Sequence, residues 1–136
     1  MLDTHVWIWI FEGSRRRLSR SLPGRVERAA ADGALFVSAI SIWELAMFVA
    51  VGRLVLSRDL RSWVGAARRA PGARVVPIGA AVSLQAASLP RGLRGDPADH
   101  LIAATARHIG AWLVSADERL IEYGANGHVK VIDARP

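Results

Sequence analysis

Four acidic residues stand where a carboxylate is costly. Glu44 is the only charged side chain between Asp32 and Arg53, and Ile40, Trp43, Met47 and Val51 lay an apolar stripe along its flank. A carboxylate in such a segment must be desolvated, paired with an Arg, or bound to a cation. Asp3 ends a first short apolar run, Asp99 heads the buried-type stretch Leu101 to Ala106, and Asp117 follows Trp112 to Ser115. Singly, Asp3, Asp99 and Asp117 also read as helix caps, where a carboxylate accepts from free N–H groups. Together, the four acids would repel one another and raise their pKa values unless a divalent cation neutralised them. Oxygen ligands without Cys, and without a closely spaced His pair, select Mg²⁺ or Mn²⁺ over Zn²⁺. Such a site activates water and stabilises the transition state of phosphodiester hydrolysis.

Convergence requires a scaffold. Leu2 closes a very short first strand, and Leu35 to Val37, Arg74 to Val76, Trp112 to Val114 and Val129 to Ile132 read as four more strands of buried type. Between them the pattern predicts helices over Thr4 to Phe11, Pro23 to Asp32, Ser41 to Val51, Asp59 to Arg69, Ala80 to Leu89, Pro97 to His108 and Asp117 to Tyr123. Ser21 before Pro23 and Asp96 before Pro97 are start signals, as are Ser57 and Asp59; Gly52 and Gly110 are stops. Alternating strands and helices imply a parallel sheet with right-handed crossovers and helices on both faces. Ligands gather at the carboxyl ends of such strands. Asp3 lies there after strand one, Ser38 and Ser41 after strand two, Ser115 and Asp117 after strand four. The stretch Pro90 to Gly95 is the expected mobile loop.

The 136 residues fit one domain, 51% hydrophobic and 22% charged, with positive mean hydropathy (+0.22); coiled coil and low-complexity disorder are excluded. With no Cys there is no disulfide framework, thiolate zinc site or thiol catalysis, and the expected compartment is the cytoplasm. The opening Met1, Leu2, Asp3 lacks the basic start of a signal peptide. Gly33 to Val51 is nearly uncharged, but Glu44 near its middle costs roughly 2.5 to 3.5 kcal/mol in a membrane, so a strand and a buried helix are expected there. Eighteen basic against 12 acidic residues leave a net charge of +6, which suits a polyanionic partner. The block Arg15 to Arg28 reads either as a phosphate-binding surface or as a solvated helical face. Trp7, Trp9, Trp43 and Trp112 are expected in core or interface, Trp63 partly exposed, and His5, His108 and His128 structural.

Leu2 to Trp9 (LDTHVWIW), Ser38 to Leu45 (SAISIWEL), Gly95 to Ala106 (GDPADHLIAATA) and Leu113 to Leu120 (LVSADERL) together resemble the PIN-domain nucleases, and within them the VapC-type toxins of bacterial toxin–antitoxin pairs. The resemblance implies a three-layer α/β/α sandwich around a five-stranded parallel sheet of order 3-2-1-4-5. It also implies a Mg²⁺- or Mn²⁺-dependent endoribonuclease, a homodimer, and a cognate antitoxin that blocks the site. Asp3, Glu44, Asp99 and Asp117 match the family's acidic ligands, and Thr4 and Ser115 match hydroxyl positions beside metal or scissile phosphate. Asp96 matches the first acid of its motif and is expected to cap the helix rather than bind metal. Arg91 and Arg94 are placed to reach the substrate backbone. The helical pair Ser41 to Arg69 would grip the antitoxin, with Trp63 as a contact. There are two departures. Few residues precede Leu2-Asp3, which clips strand one, and His100 stands where the family often has Arg. A catalytically silent RNA- or antitoxin-binding module and a free-standing RNA-processing nuclease are the alternatives. Haloacid-dehalogenase and receiver-domain readings fail, the first because position 5 is His and the second because Lys130 falls within the last predicted strand.

Overall fold

A computed structural model describes all 136 residues. The elements run α1 (Thr4–Phe11), a 3-10 turn (Arg15–Arg17), α2 (Leu22–Ala31), β1 (Leu35–Ser38), α3 (Ala39–Ala50), α4 (Leu60–Arg68), β2 (Ala73–Val76), α5 (Ala80–Ala87), α6 (Pro97–His108), β3 (Leu113–Ser115), α7 (Glu118–Ala125) and β4 (Val131–Asp133). Strands β1 and β2 pair in parallel, as do β3 and β4. The predicted first strand is reduced to one residue: Leu2 forms isolated parallel bridges to Val37 and to Val114. Its N–H donates to Phe36 O, and the Asp3 N–H donates to Val114 O. The regular sheet structure is therefore two short parallel pairs.

Alternation along these strands builds two apolar clusters. Leu2, Val37 and Val114 face one cluster with Val6, Trp7, Leu22, Val26, Leu45 and Trp63. The intervening Met1, Phe36 and Leu113 face the other, with Ile102, Ala103, Ala106, Leu120 and Tyr123. Period-two side chains sent to opposite faces, each covered by helices, make an α/β structure with helices on both sides. Helix α1 carries Val6, Trp7, Ile8, Trp9 and Ile10, which are mediocre helix formers. Burial and the Asp3 cap hold it, the Asp3 carboxylate accepting from the Thr4 N–H at 2.7 Å.

The elements match the predicted ones, with ends moved by a residue or two; α3 begins at Ala39, and Ser38 closes β1. Gly52 and Gly110 follow their helices with φ of +71° and +66°, the left-handed conformation expected of a helix stop. Ser21 makes no side-chain cap, whereas Asp59 accepts from the Ser62 N–H. Several side-chain placements differ from expectation. Trp63 is fully buried, edge-on to Trp7 and Phe11, with its indole N–H donated to Glu12. An aromatic with a satisfied N–H belongs inside, so Trp63 is no free contact surface. Trp43 and Trp112 are more than half exposed, which removes them from the core and leaves the interface half of their expectation. His5 is also exposed, although its ring lies 5.4 Å from Phe48. The Pro90 to Gly95 loop is tethered at one end, where Tyr123 Oη donates to Pro90 O at 2.8 Å. No helix is long and apolar enough to cross a membrane.

Candidate active site

The carboxyl ends of Leu2, β1 and β3 lie on one edge, and the chain leaves each into a helix. Asp3 is the N-cap of α1 and Asp117 the N-cap of α7. Asp96 caps α6 by accepting from Ala98 and Asp99 N–H groups, and Asp99 reaches back to the Asp96 N–H in a capping box. Glu44 comes up from α3. Asp3, Glu44 and Asp99 are each more than nine-tenths buried.

Hydroxyl groups tie these acids together. Thr4 Oγ1 donates to Glu44 and lies 2.8 Å from Ser41 Oγ. Ser115 Oγ donates to Asp3 Oδ2 at 2.7 Å and accepts the Asp117 N–H at 3.0 Å. Every buried side-chain polar atom is partnered. Thr4 and Ser115 therefore both contact the predicted acids directly. Ser41, a fully buried member of this network, was assigned no hydrogen-bonding role from sequence. The Arg partner considered for Glu44 is not there; a hydroxyl holds it instead.

Burial raises the Asp3 pKa, against the hydrogen bonds from Ser115 and Thr4, and Asp117 adds repulsion. Burial is also the main reason that Glu44 is pushed up to about 7, with Asp3, Asp96 and Asp99 contributing negative charge. Asp99 is raised by burial and by Asp96. Asp117 is lowered, chiefly by its hydrogen bonds from Arg119. The guanidinium of Arg119 forks onto Asp117 through Nε (3.1 Å) and Nη2 (2.8 Å), and Nη2 lies 3.1 Å from Asp99 Oδ2. Arg119 is the one cation inside the acidic group, and sequence reasoning missed it. Its signal was its place two residues after Asp117, on the first turn of α7. His100 has no part in this; its Nδ1 lies 2.9 Å from Asp96 O. Arg91 and Arg94 are exposed on the loop before α6 and form no ion pair with the acids.

The donor set suits a hard divalent cation, being oxygen only and carrying more negative charge than Arg119 balances. In this arrangement no three carboxylates are drawn to one point able to hold an ion, and Arg119 spans two of them.

This edge of buried acids on an α/β scaffold defines a protein of the PIN-domain family, and residues 1–126 match that family's domain. The chain belongs to this family, in its VapC-type group. It is 38% identical over 120 residues, 88% of each chain, to Ribonuclease VapC22 of Mycobacterium tuberculosis (strain ATCC 25618 / H37Rv). The fold is similar to the crystal structure of VapBC2 from Rickettsia felis bound to a DNA fragment from their promoter, with a TM-score of 0.71 at 18% identity, covering 98% of this chain and 97% of that one.

Proposed function

We propose that this protein is an endoribonuclease toxin whose activity depends on Mg²⁺ or Mn²⁺, with Asp3, Glu44, Asp99 and Asp117 holding the ion. The observation that carries the reading is the burial of Asp3, Glu44 and Asp99 at one strand-end edge, with their pKa values raised together. A divalent cation held there would supply an activated water and neutralise charge developing on the phosphate. Thr4 and Ser115 orient Glu44 and Asp3 through their hydroxyls. Without the ion, burial and the neighbouring acids push Glu44 up to about 7, so binding the ion would favour its ionised form and release a proton. Arg119 holds Asp99 against Asp117, and both carboxylates would be among the residues that hold the ion. Asp96 shapes the first turn of α6, His100 sits beside it, and Arg91 and Arg94 meet the RNA backbone.

Other parts of the reading rest on similar grounds. The bridges of Leu2 to Val37 and Val114 support a five-stranded order 3-2-1-4-5, with Leu2 standing as strand one. Exposed Trp43 and Met47 on α3, with Val51 just after it, support protein partners on that face, a second copy of the chain and an antitoxin. The name of the Mycobacterium relative and the complex seen in the Rickettsia structure support the ribonuclease and the antitoxin. An RNA substrate in turn supports a cytoplasmic place and no membrane partner.

The test is RNA cleavage by Asp99→Asn and Glu44→Gln. Both should lose cleavage by at least about a hundredfold. Without metal their melting temperatures should equal or exceed that of the parent, since like-charge repulsion is relieved. Wild-type cleavage with wild-type metal dependence in both would overturn the assignment.

A further inference from the structure

Beside the acidic group, on the α1 and α3 side, lies a cleft of about 370 Å³ with rings on its walls and guanidinium groups at its rim, a volume within the ~300–1,000 Å³ range of small-ligand sites. His5, the residue after Thr4, is exposed, with its ring 5.4 Å from Phe48 and 6.1 Å from Trp9. Phe48 lies one turn beyond Glu44 on α3, about 6 Å along the helix axis. Arg17 reaches over Trp9, with Cζ 5.5 Å from the ring centroid. Arg53 joins it where the turn after α3 folds back, its N–H donating to Phe48 O at 2.8 Å. Neither Arg has a carboxylate partner, and no acid lines the cleft. Flat rings with uncompensated cations, one residue from Thr4 and one turn from Glu44, match a nucleotide: a base on the rings and its phosphate at the guanidinium groups.

We propose that this cleft is a subsite for single-stranded RNA, in which His5 and Phe48 stack the base of a nucleotide flanking the cleaved phosphate and Arg17 and Arg53 hold its backbone. The proposal rests on the ribonuclease reading and names the form of its substrate: an unpaired strand, because only an unpaired base offers its face to a ring. Stacking tolerates every base, so the subsite gives grip and register rather than sequence selection.

The experiment measures binding of a labelled single-stranded oligouridylate in EDTA at fixed salt, where no cleavage occurs. The double variant His5→Ala/Phe48→Leu should bind about tenfold more weakly. Arg17→Gln/Arg53→Gln should lower the slope of log affinity against log salt by about 1 to 2. Asp99→Asn should bind at least as tightly as the parent. His5→Ala alone, a change at an exposed residue, repeats the test without disturbing the core. Parental affinity in the His5 and Phe48 variants, with native melting, overturns the subsite. So does a result in which those variants bind RNA normally but lose binding to a cognate antitoxin, which would make the cleft a protein-docking groove. Absence of cleavage by the parent with Mg²⁺ or Mn²⁺ would overturn the activity instead, leaving the binding measurements to judge the cleft.

Discussion

Arg119 shows how one side chain can belong to two states of a site. Without a cation it screens Asp99 from Asp117 and holds the Asp117 carboxyl below the usual range. Its side chain is half exposed, so the contact is worth about 0.5 to 1 kcal/mol. Arg119→Gln should therefore lower the metal-free melting temperature by about 2–6 °C and enlarge the rise that Mg²⁺ or Mn²⁺ produces, since the ion no longer competes with a tethered cation. A thermal melt with and without each ion reads both effects; a smaller ion-induced rise would show that Arg119 helps to build the ion's site. Of the four acids, Glu44 stood out in the sequence by its apolar context, whereas Asp3, Asp99 and Asp117 stood out only as a set at strand ends, each alone reading as a cap. Arg119 was not, because an Arg in the first turn of an amphipathic helix reads as solvated until the fold brings Asp99 to it. Capping and clustering also proved compatible: Asp3 and Asp117 cap their helices while facing the acidic group.

At the scale of elements, α6 shows how tightly the site is set. Gly95 precedes its capping box, and a Cβ there would come within 2.8 Å of Asp99 Cβ and 3.0 Å of Asp99 Cγ. Gly95→Ala should therefore move Asp99 or the loop, costing about 1 to 2 kcal/mol in stability and roughly tenfold or more in cleavage. Paired melting and cleavage measurements check this, and an active, equally stable variant would mean that the loop gives way freely. Helices and strands were readable from periodicity and from Pro and Gly signals. Which aromatic faces inward was not: Trp43 lies between Ile42 and Glu44 in a largely apolar helix and is exposed, while Trp63 is flanked by Ser62 and Val64 in a more polar one and is buried. That choice depends on α4 meeting Trp7, Phe11 and Glu12 of the first helical segment, contacts that no local pattern carries.

Across the whole molecule, the raised acids make stability depend on pH. Asp3, Glu44 and Asp99 bind protons more tightly folded than unfolded, so their contribution is greatest when they are protonated and fades as pH rises through the folded values. For Glu44 the window runs from its ordinary 4.5 to about 7. The metal-free protein should melt higher near pH 5 than near pH 8, and added Mg²⁺ should narrow the difference by favouring the ionised forms. The buried Met1 amine, lowered by burial from 8.0 to about 6, acts in the opposite sense as pH rises between those values, against three acids; Asp117 does so only as pH falls below its ordinary 3.8. A melting temperature that climbs toward pH 8 without metal would contradict the burial of these acids. The net charge of +6 acts at the same scale. Reversing Arg91 and Arg94 to Glu should weaken RNA binding and flatten its salt dependence, and a salt titration with an unchanged slope would remove both from the RNA-binding surface.

The site is also assembled from the two ends of the chain. Asp3 receives its hydrogen bond from Ser115, 112 residues away, while Thr4 reaches Glu44 across 40. During synthesis, at about 5 to 20 residues per second, the first acid must wait for almost the whole polypeptide. A growing chain that has exposed Glu44 and Thr4 still lacks the strand on the far side of Leu2 and the two acids carried by α6 and α7. The acidic edge is thus closed only when nearly the whole polypeptide is present, a dependence written into the order of its strands.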